Sequence, residues 1–238
     1  ARCDSESYIY CFSFSEELLQ EWDWSGKYPE QPEILRYLNH VADRFNLRRD
    51  IQFNTRVTSA KFREADNLWE VETDQGDRVT AQYLITGIGC ISAGQIPQID
   101  GLDSFAGEWY HTGGWPHEGV DFKGKRVGVI GTGSSGVQTI PVIAEQAGHV
   151  TVFQRTPQYV TRRMISDHDP DAGNLLTRRW QRLKIFRRFE SLILRRASVE
   201  MTTQAQSEFF EYLAEQVPDP ELRARLSPDY RFGCKRVL

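Results

Sequence analysis

The chain contains little cysteine, and the spacing of its cysteines suits neither a metal site nor a disulfide framework. Its 238 residues include 4 cysteines, no two of which form a C-x-x-C pair. No apolar run approaches the roughly 18–20 residues that a membrane-spanning helix needs, and the chain does not open with a signal peptide. These absences predict a soluble, cytoplasmic, globular protein with no metal ion and no membrane span.

Charge of neither sign dominates the composition. The 29 lysines and arginines are set against 33 aspartates and glutamates, a formal net charge of −4. This balance argues against a generally basic nucleic-acid-binding protein and against an acidic disordered chain. Hydrophobic residues make up 39% of the sequence and aromatic residues 12%, which is enough to build a core. The length fits one large domain or two small ones.

Both ends of the sequence read as interruptions of a longer chain. It begins with Ala1 rather than methionine, inside a predicted loop, and it stops at Leu238, where the pattern predicts the start of an apolar strand. The alternative is that the mature termini simply lie at these positions. We expect truncation, which would leave out segments that contribute to an active site.

The first part of the chain alternates between helical and strand patterns. Apolar residues recur at helical spacing over 31–45, after a proline in the first turn. Strands are predicted at 50–53 and 57–62, and a hairpin is predicted to join 68–73 to 78–85. This region is therefore expected to be mixed α/β.

The clearest pattern lies in the middle of the chain. The apolar run 125–130 is typical of a buried parallel strand, and the glycine turn 131–136 follows it. A helix is predicted over 137–147 and a second strand over 149–154. Strand, turn, helix and strand form a βαβ unit, so the predicted fold class is α/β with a Rossmann-like domain.

The glycine turn has the spacing of a dinucleotide-binding motif, Gly131-x-Gly133-x-x-Gly136. The first glycine permits the tight turn, the second lets a pyrophosphate approach the backbone, and the third lets the helix pack on the strand. The helix N terminus then offers free N–H groups to phosphate. The alternative is a glycine turn that binds nothing. Predicted dinucleotide contacts here are Gly131, Thr132, Gly133, Ser134, Ser135, Gly136 and Gln138.

The end of the second strand indicates which dinucleotide is bound. An NAD site places an Asp or Glu there to accept a hydrogen bond from the ribose 2′-hydroxyl. This strand is instead followed by Arg155 and Thr156, a cation and a hydroxyl that suit the 2′-phosphate of NADP. The alternative is that Arg155 is only a solvated charge. NADP is the predicted cofactor.

Residues 164–225 are helical in pattern and rich in charge. An apolar stripe is set against many arginines, and we expect 180–193 to form a helix that lies over its own protein. Contact of 178–196 with a membrane surface is the less favoured alternative, and it stays open because basic residues there far outnumber acidic ones. The stripe consists of Leu176, Trp180, Leu183, Phe186, Phe189 and Ile193.

A further motif precedes the glycine turn. The pattern Phe105-x-Gly107-x-x-x-His111-x-x-x-Trp115-Pro116 resembles the fingerprint of type I Baeyer–Villiger monooxygenases, flavoenzymes that insert oxygen beside a ketone. The resemblance spans nearly the whole chain, with a weaker match over 164–225. Flanking segments that agree with this family are 4–10, 52–55, 152–157 and 233–236.

The resemblance implies two dinucleotide-binding domains, one for FAD and one for NADPH, with a helical insert in the second. Residues 1–89 would be a partial FAD-binding domain, joined by a linker at 90–100 to the NADP-binding Rossmann domain at 101–163. The helical insert would occupy 164–227, and 228–238 would return to the NADP-binding domain. The glycine motif that holds FAD in this family would lie upstream of Asp4, so we expect that this chain does not bind FAD unaided.

The resemblance also implies an activity and a set of site residues. NADPH would reduce FAD, and one atom of O2 would be inserted beside a ketone carbonyl to give an ester or lactone. Arg236 matches the active-site arginine of the family, and Asp4 matches the carboxylate that pairs with it. Lys235 would reach the NADP phosphate together with Arg155 and Thr156. The remaining cofactor-binding positions are Arg2, Asp4, Tyr10 and Val57.

His111 has two interpretations. A lone histidine in an aromatic segment is more often a satisfied structural residue than an acid–base catalyst. Because it belongs to the family fingerprint, we assign it to domain coupling. Phe105 and Trp115 are expected to pack as core or hinge residues.

Other functions stay open on the sequence alone. A general flavin monooxygenase acting on nitrogen or sulfur would share the cofactors, and a non-catalytic NADP-binding module would lack the FAD part. A membrane-surface adaptor would use 178–196. No residue pattern names the ketone or the oligomeric state.

Overall fold

The computed structural model describes residue 3 and residues 6–89, 91–161, 175–193, 199–235 and 237. The chain forms two compact units, which are treated separately below. The first unit comprises Ala1–Asn39 and Val120–Leu238, and the second comprises His40–Gly119.

The described part of the chain is a mixture of helices and short strands. Short 3-10 helices lie at Leu47–Asp50, Leu102–Ser104 and Thr112–Gly114. The strands are β1 (Val57–Arg63), β2 (Leu68–Thr73), β3 (Arg78–Ala81), β4 (Arg126–Ile130) and β5 (His149–Phe153). The helices are α1 (Ser7–Tyr10), α2 (Glu16–Glu21), α3 (Gln31–Arg44), α4 (Ser134–Ala144), α5 (Leu175–Ile193), α6 (Val199–Gln216) and α7 (Pro220–Leu226).

The predicted βαβ unit is present in the first unit. Strands β4 and β5 pair in parallel, with Ile130 opposite Phe153 at their carboxyl ends. The N–H of Gly131 donates to the carbonyl of Phe153 at 2.9 Å and extends this ladder into the glycine turn. Helix α4 connects the strands and contacts both. The predicted α/β fold class is confirmed.

Two details of this unit differ from the expectation. Helix α4 begins at Ser134 rather than Val137, because the turn ends directly in helical backbone. A parallel strand is expected to be buried on both faces, but these strands are not: Ile130 is 68% exposed and Phe153 is 56% exposed. A two-stranded sheet with one described helix against it leaves much of its surface uncovered.

The second unit contains an antiparallel sheet in the order β1, β2, β3. The predicted hairpin is present, with Gly76 at a φ of +85° in its turn. The strand expected at 50–53 is wrong: a 3-10 helix ends at Asp50, and Asn54 has a φ of 54°. This left-handed residue interrupts extended backbone. Strand β3 also stops at Ala81, short of the predicted end at residue 85.

An aromatic cluster forms around helix α3 in the first unit. The Tyr37 side chain is 1% exposed, and its ring lies 4.8 Å from that of Trp24 and 5.4 Å from that of Trp22. The predicted helix is confirmed, and its apolar positions are confirmed in part: Val41 is 3% exposed, whereas Leu35 and Leu38 are 51% and 47% exposed. Tyr37, which the apolar pattern left out, belongs to the buried face as well.

We expect Tyr37→Phe to destabilise this cluster by about 1–2 kcal/mol. The Tyr37 hydroxyl accepts a hydrogen bond from the Phe12 N–H at 2.8 Å, and its removal leaves that donor without this acceptor. Urea unfolding of the two proteins measures the difference. Tyr83→Phe is the control, since Tyr83 is 78% exposed and its loss should change the free energy of unfolding little. Equal effects would contradict the role of the Tyr37 hydroxyl.

Helix α5 turns arginines toward the protein. The Arg178 side chain is 12% exposed, and it donates to the carbonyls of Leu19 and Trp22 at 3.0 and 3.3 Å. Arg182, one turn later, donates to the Cys11 carbonyl at 2.7 Å. These carbonyls lie at the C-terminal ends of α1 and α2, where backbone oxygens lack helical partners. The two guanidinium groups therefore cap two short helices from outside.

Helix α5 lies over its own protein as predicted, but it packs through its arginines and not through its apolar stripe. The described stripe side chains are exposed, at 73% for Leu176, 55% for Trp180, 50% for Leu183 and 49% for Phe186; those of Phe189 and Ile193 lie outside the described set. The helix-end carbonyls that Arg178 and Arg182 satisfy decide which face packs. No helix within the described ranges is long and apolar enough to cross a membrane.

Candidate dinucleotide-binding site

The glycine turn between β4 and α4 has the geometry that each of its glycines predicts. Gly131 has a φ of +98°, which favours glycine. A Cβ on Gly136 would lie 2.4 Å from the carbonyl oxygen of Gly131, whereas a Cβ on Gly133 would meet nothing within 4 Å. The third glycine thus closes the turn against the helix, and the second leaves open space beside the backbone. These features fit a dinucleotide pyrophosphate.

The N terminus of α4 faces this turn. Gly133 is the N-cap and has no side chain to cap the helix, and the first turn holds no acidic residue. Intrahelical bonding starts with the N–H of Val137, which donates to the Gly133 carbonyl at 2.9 Å. The preceding N–H groups of Ser134, Ser135 and Gly136 have no acceptor one helical turn back. This end of the helix carries partial positive charge suited to phosphate.

Arg155 lies at the same sheet edge as the glycine turn. Because Ile130 and Phe153 are paired in a parallel ladder, the segments following them leave from one carboxyl edge. Arg155 is exposed and Thr156 is half-buried. No salt bridge or hydrogen bond joins Arg155 to another described residue, so its charge is available to a ligand.

Lys235 lies on an aromatic ring that packs against the segment following Arg155. Its Nζ lies 4.5 Å from the ring centroid of Tyr230, and Tyr230 contacts Tyr159 with 5.4 Å between ring centroids. Tyr159 follows Thr156 by three residues. Burial raises the pKa of Tyr159 and of Tyr230 above the ordinary value for tyrosine. The structure therefore links Lys235 to the segment that carries Arg155.

This set of aromatic contacts is the part of the site that the sequence interpretation missed. Tyr159 is 1% exposed and contacts Phe209 of α6 with 4.9 Å between ring centroids. Its hydroxyl donates to the Tyr230 carbonyl, 71 residues away, at 2.8 Å. The sequence does show Tyr159 shortly after Thr156 and Tyr230 shortly before Lys235. No local spacing, however, indicates that these two tyrosines contact each other.

Several predicted site residues are not brought into this group. Arg236, Asp4 and Arg2, together with Cys90, lie outside the described residues. Tyr10 ends α1 in the first unit and is 39% exposed. Val57 begins β1 in the second unit and is 57% exposed. Their proposed contacts with FAD stay predictions, as does the Arg236–Asp4 pair. No group of three metal-ligating side chains occurs within the described ranges.

His111 of the fingerprint caps a 3-10 helix in the second unit. Its Nδ1 accepts a hydrogen bond from the Gly113 N–H at 3.1 Å, at the start of Thr112–Gly114. This contact is structural, and the assignment to domain coupling stays a prediction. Trp115 is half-buried and lies 6.0 Å from Tyr110 between ring centroids.

The other fingerprint residues lie in the same unit. A Cβ on Gly107 would come within 2.7 Å of the exposed Phe105 ring, a side chain that can rotate away. Phe105 was expected to pack as a core or hinge residue; the core alternative is wrong, since it is 60% exposed, and the hinge role stays a prediction. Pro116 is half-buried.

This chain is similar to a known protein family and to several monooxygenase relatives. Residues 10–211 match the family described as pyridine nucleotide-disulphide oxidoreductase. A Baeyer-Villiger monooxygenase of Pseudooceanicola batsensis is 53% identical over 67% of this chain and 29% of its own length. Acetone monooxygenase (methyl acetate-forming) of Gordonia sp. is 40% identical over 100% of this chain and 42% of its own.

Solved structures of monooxygenases are also similar to this chain. OTEMO in complex with FAD and NADP superposes with a TM-score of 0.84, at 35% identity, over 100% of this chain and 53% of that chain. The chain thus spans about half or less of the relatives it matches. The chain belongs to the pyridine nucleotide-disulphide oxidoreductase family, and its resemblance to the Baeyer–Villiger monooxygenases is confirmed.

Proposed function

We propose that the whole protein is an NADPH- and FAD-dependent Baeyer–Villiger monooxygenase. It inserts one atom of O2 beside a ketone carbonyl and releases an ester or lactone. The geometry of the glycine turn carries this proposal. A Cβ on Gly136 would lie 2.4 Å from the carbonyl oxygen of Gly131, whereas a Cβ on Gly133 would meet nothing within 4 Å. A relative named for forming methyl acetate from acetone, 40% identical over 100% of this chain, supports the reaction type.

This chain contributes the NADP-binding residues. The free N–H groups at the start of α4 would hold the pyrophosphate, and Arg155 and Thr156 would receive the 2′-phosphate together with Lys235. When bound, NADPH supplies the electrons and FAD the oxygen-activating chemistry. The protein's own task is to bind both groups, orient them and exclude water.

We further propose that Arg236 and Asp4 act at the reacting carbonyl. A guanidinium keeps its charge at all working pH values and can stabilise negative charge that develops on oxygen. Asp4 would orient that guanidinium. Arg2, Tyr10 and Val57 would line FAD, His111 would couple the domains, and the segment boundaries inferred above would describe the domain organisation.

The ligands and location follow from this proposal. The substrates would be a small ketone and O2, with no nucleic-acid partner. Cys3, Cys11 and Cys234 are free thiols, which fits the reducing cytoplasm that also supplies NADPH.

A turnover assay on protein from the complete gene tests the reaction. We expect a flavin-containing protein that oxidises NADPH faster when acetone or cyclohexanone is added, with the ester or lactone detected by mass spectrometry. Oxidation of amines or sulfides without any ketone product would replace the proposal with a general flavin monooxygenase. Binding of NADP without flavin or turnover would indicate a non-catalytic module.

We expect Arg155→Ser to weaken NADP binding about tenfold and to leave NAD binding unchanged, because a charge-assisted hydrogen bond to the 2′-phosphate contributes about 1.5 kcal/mol. Titration calorimetry with both dinucleotides measures the two dissociation constants. Arg126→Ser is the matched control, since Arg126 is exposed and starts β4 at the opposite end. Equal losses for NADP and NAD would contradict the assignment of Arg155.

A further inference from the structure

Lys235 rests on an aromatic ring rather than on a carboxylate. Its side chain is exposed, yet its Nζ lies 4.5 Å from the Tyr230 ring centroid. Among the described residues it forms no salt bridge. A cation on a ring face keeps its full charge, because the ring contributes a quadrupole and no counter-charge. The ammonium is thus restrained but not neutralised.

The ring beneath Lys235 is itself fixed. The Tyr230 backbone carbonyl accepts the Tyr159 hydroxyl at 2.8 Å, and the two rings meet edge to face at 5.4 Å. Tyr159 is held in turn by Phe209 and Phe232, whose ring centroids lie 4.9 and 5.0 Å away. A ring in such a packed set cannot move freely, and neither can a cation resting on it.

The same packed set continues into the strand-end segment. Tyr159 lies in the loop that carries Arg155 and Thr156 away from β5. One buried tyrosine therefore anchors both the segment that bears Arg155 and the segment that bears Lys235. Arg155 and Lys235 thus belong to two segments that meet at Tyr159.

We propose that Tyr230 is a positioning residue for Lys235, and that the ring-held ammonium makes the protein select a 2′-phosphorylated dinucleotide over its unphosphorylated counterpart. This inference rests on the proposed NADP-binding function. A free lysine side chain loses rotamer freedom when it grips a phosphate, and a lysine already held on a ring loses less. The advantage applies only to a ligand that carries the additional phosphate.

The unsatisfied hydroxyl of Tyr230 makes a clean control possible. Its oxygen is buried and has no hydrogen-bond partner among the described residues. Tyr230→Phe therefore keeps the ring and removes no hydrogen bond, whereas Tyr230→Leu removes the ring. Phe232→Leu removes a neighbouring ring that packs on Tyr159 but carries no cation among the described residues.

The test measures the dissociation constants of NADP and NAD for the whole protein and its variants by titration calorimetry. We expect Tyr230→Leu to weaken NADP binding about fivefold, as an exposed cation–π contact predicts, with NAD unchanged. Tyr230→Phe should match the wild type, and Phe232→Leu should change both dinucleotides alike. In a Lys235→Met background, Tyr230→Leu should no longer affect the NADP-to-NAD ratio.

The outcomes separate the inference from the proposed function. If the wild type binds neither dinucleotide or prefers NAD, the proposed function fails and the inference fails with it. If the wild type selects NADP and Tyr230→Leu leaves the ratio unchanged, or weakens both equally, only the inference is overturned. If the Tyr230→Leu variant does not fold, Tyr230→Met replaces it, because the flexible methionine side chain adapts to the space of the ring. The same change in the NADP-to-NAD ratio is then expected.

Discussion

Gly136→Ala should abolish measurable NADP binding and destabilise the first unit by about 3 kcal/mol, the upper end of overpacking costs. The added Cβ would lie 2.4 Å from the Gly131 carbonyl oxygen, which is backbone and cannot rotate away. The start of α4 would have to move off the strand, and its N–H groups would leave the position that faces the phosphates. Thermal unfolding and NADP titration measure the two effects.

Two glycine variants separate stability from binding. Gly133→Ala should fold normally, since a Cβ there meets nothing within 4 Å, yet it should weaken NADP binding by filling the space for the pyrophosphate. Gly76→Ala should cost stability alone, because its φ of +85° lies in the hairpin turn of the second unit. Unchanged NADP binding in Gly136→Ala would refute the phosphate-binding role of the turn.

Arg178→Met should destabilise the first unit by about 2 kcal/mol, the cost of losing charge-assisted hydrogen bonds to half-buried acceptors. Methionine retains the apolar stem but cannot reach the Leu19 and Trp22 carbonyls, which Arg178 contacts at 3.0 and 3.3 Å. The end of α2 would fray, and its amides should exchange with solvent faster. Chemical denaturation and hydrogen exchange by mass spectrometry test both expectations.

The neighbouring arginine provides the control for this effect. Arg179 pairs with Glu16, and the two side chains are 47% and 64% exposed. An exposed pair contributes at most about 0.2–1 kcal/mol, so Arg179→Met should change stability little and leave exchange in α2 unaltered. Similar losses in both variants would show that charge on α5, rather than the capping of α2, stabilises the unit.

Local patterns were sufficient for the glycine turn and its two strands. Gly131, Gly133 and Gly136 each meet a requirement set by the turn itself, and the apolar runs on either side each indicate a strand from local sequence alone. Where a local conformation broke the pattern, prediction failed. Asn54, at a φ of 54°, ended the strand expected before it, and side-chain periodicity does not report a left-handed backbone.

The sequence by itself determined the α/β class, the dinucleotide motif and the fingerprint from Phe105 to Pro116, because each depends on residues close together in the chain. Tertiary structure decided which face of α5 packs and which ring supports Lys235. A helical repeat defines a stripe but not its partner, and the carbonyls that Arg178 satisfies lie more than 150 residues away. Contacts over such separations are fixed by the packing of the whole unit, which no local spacing encodes.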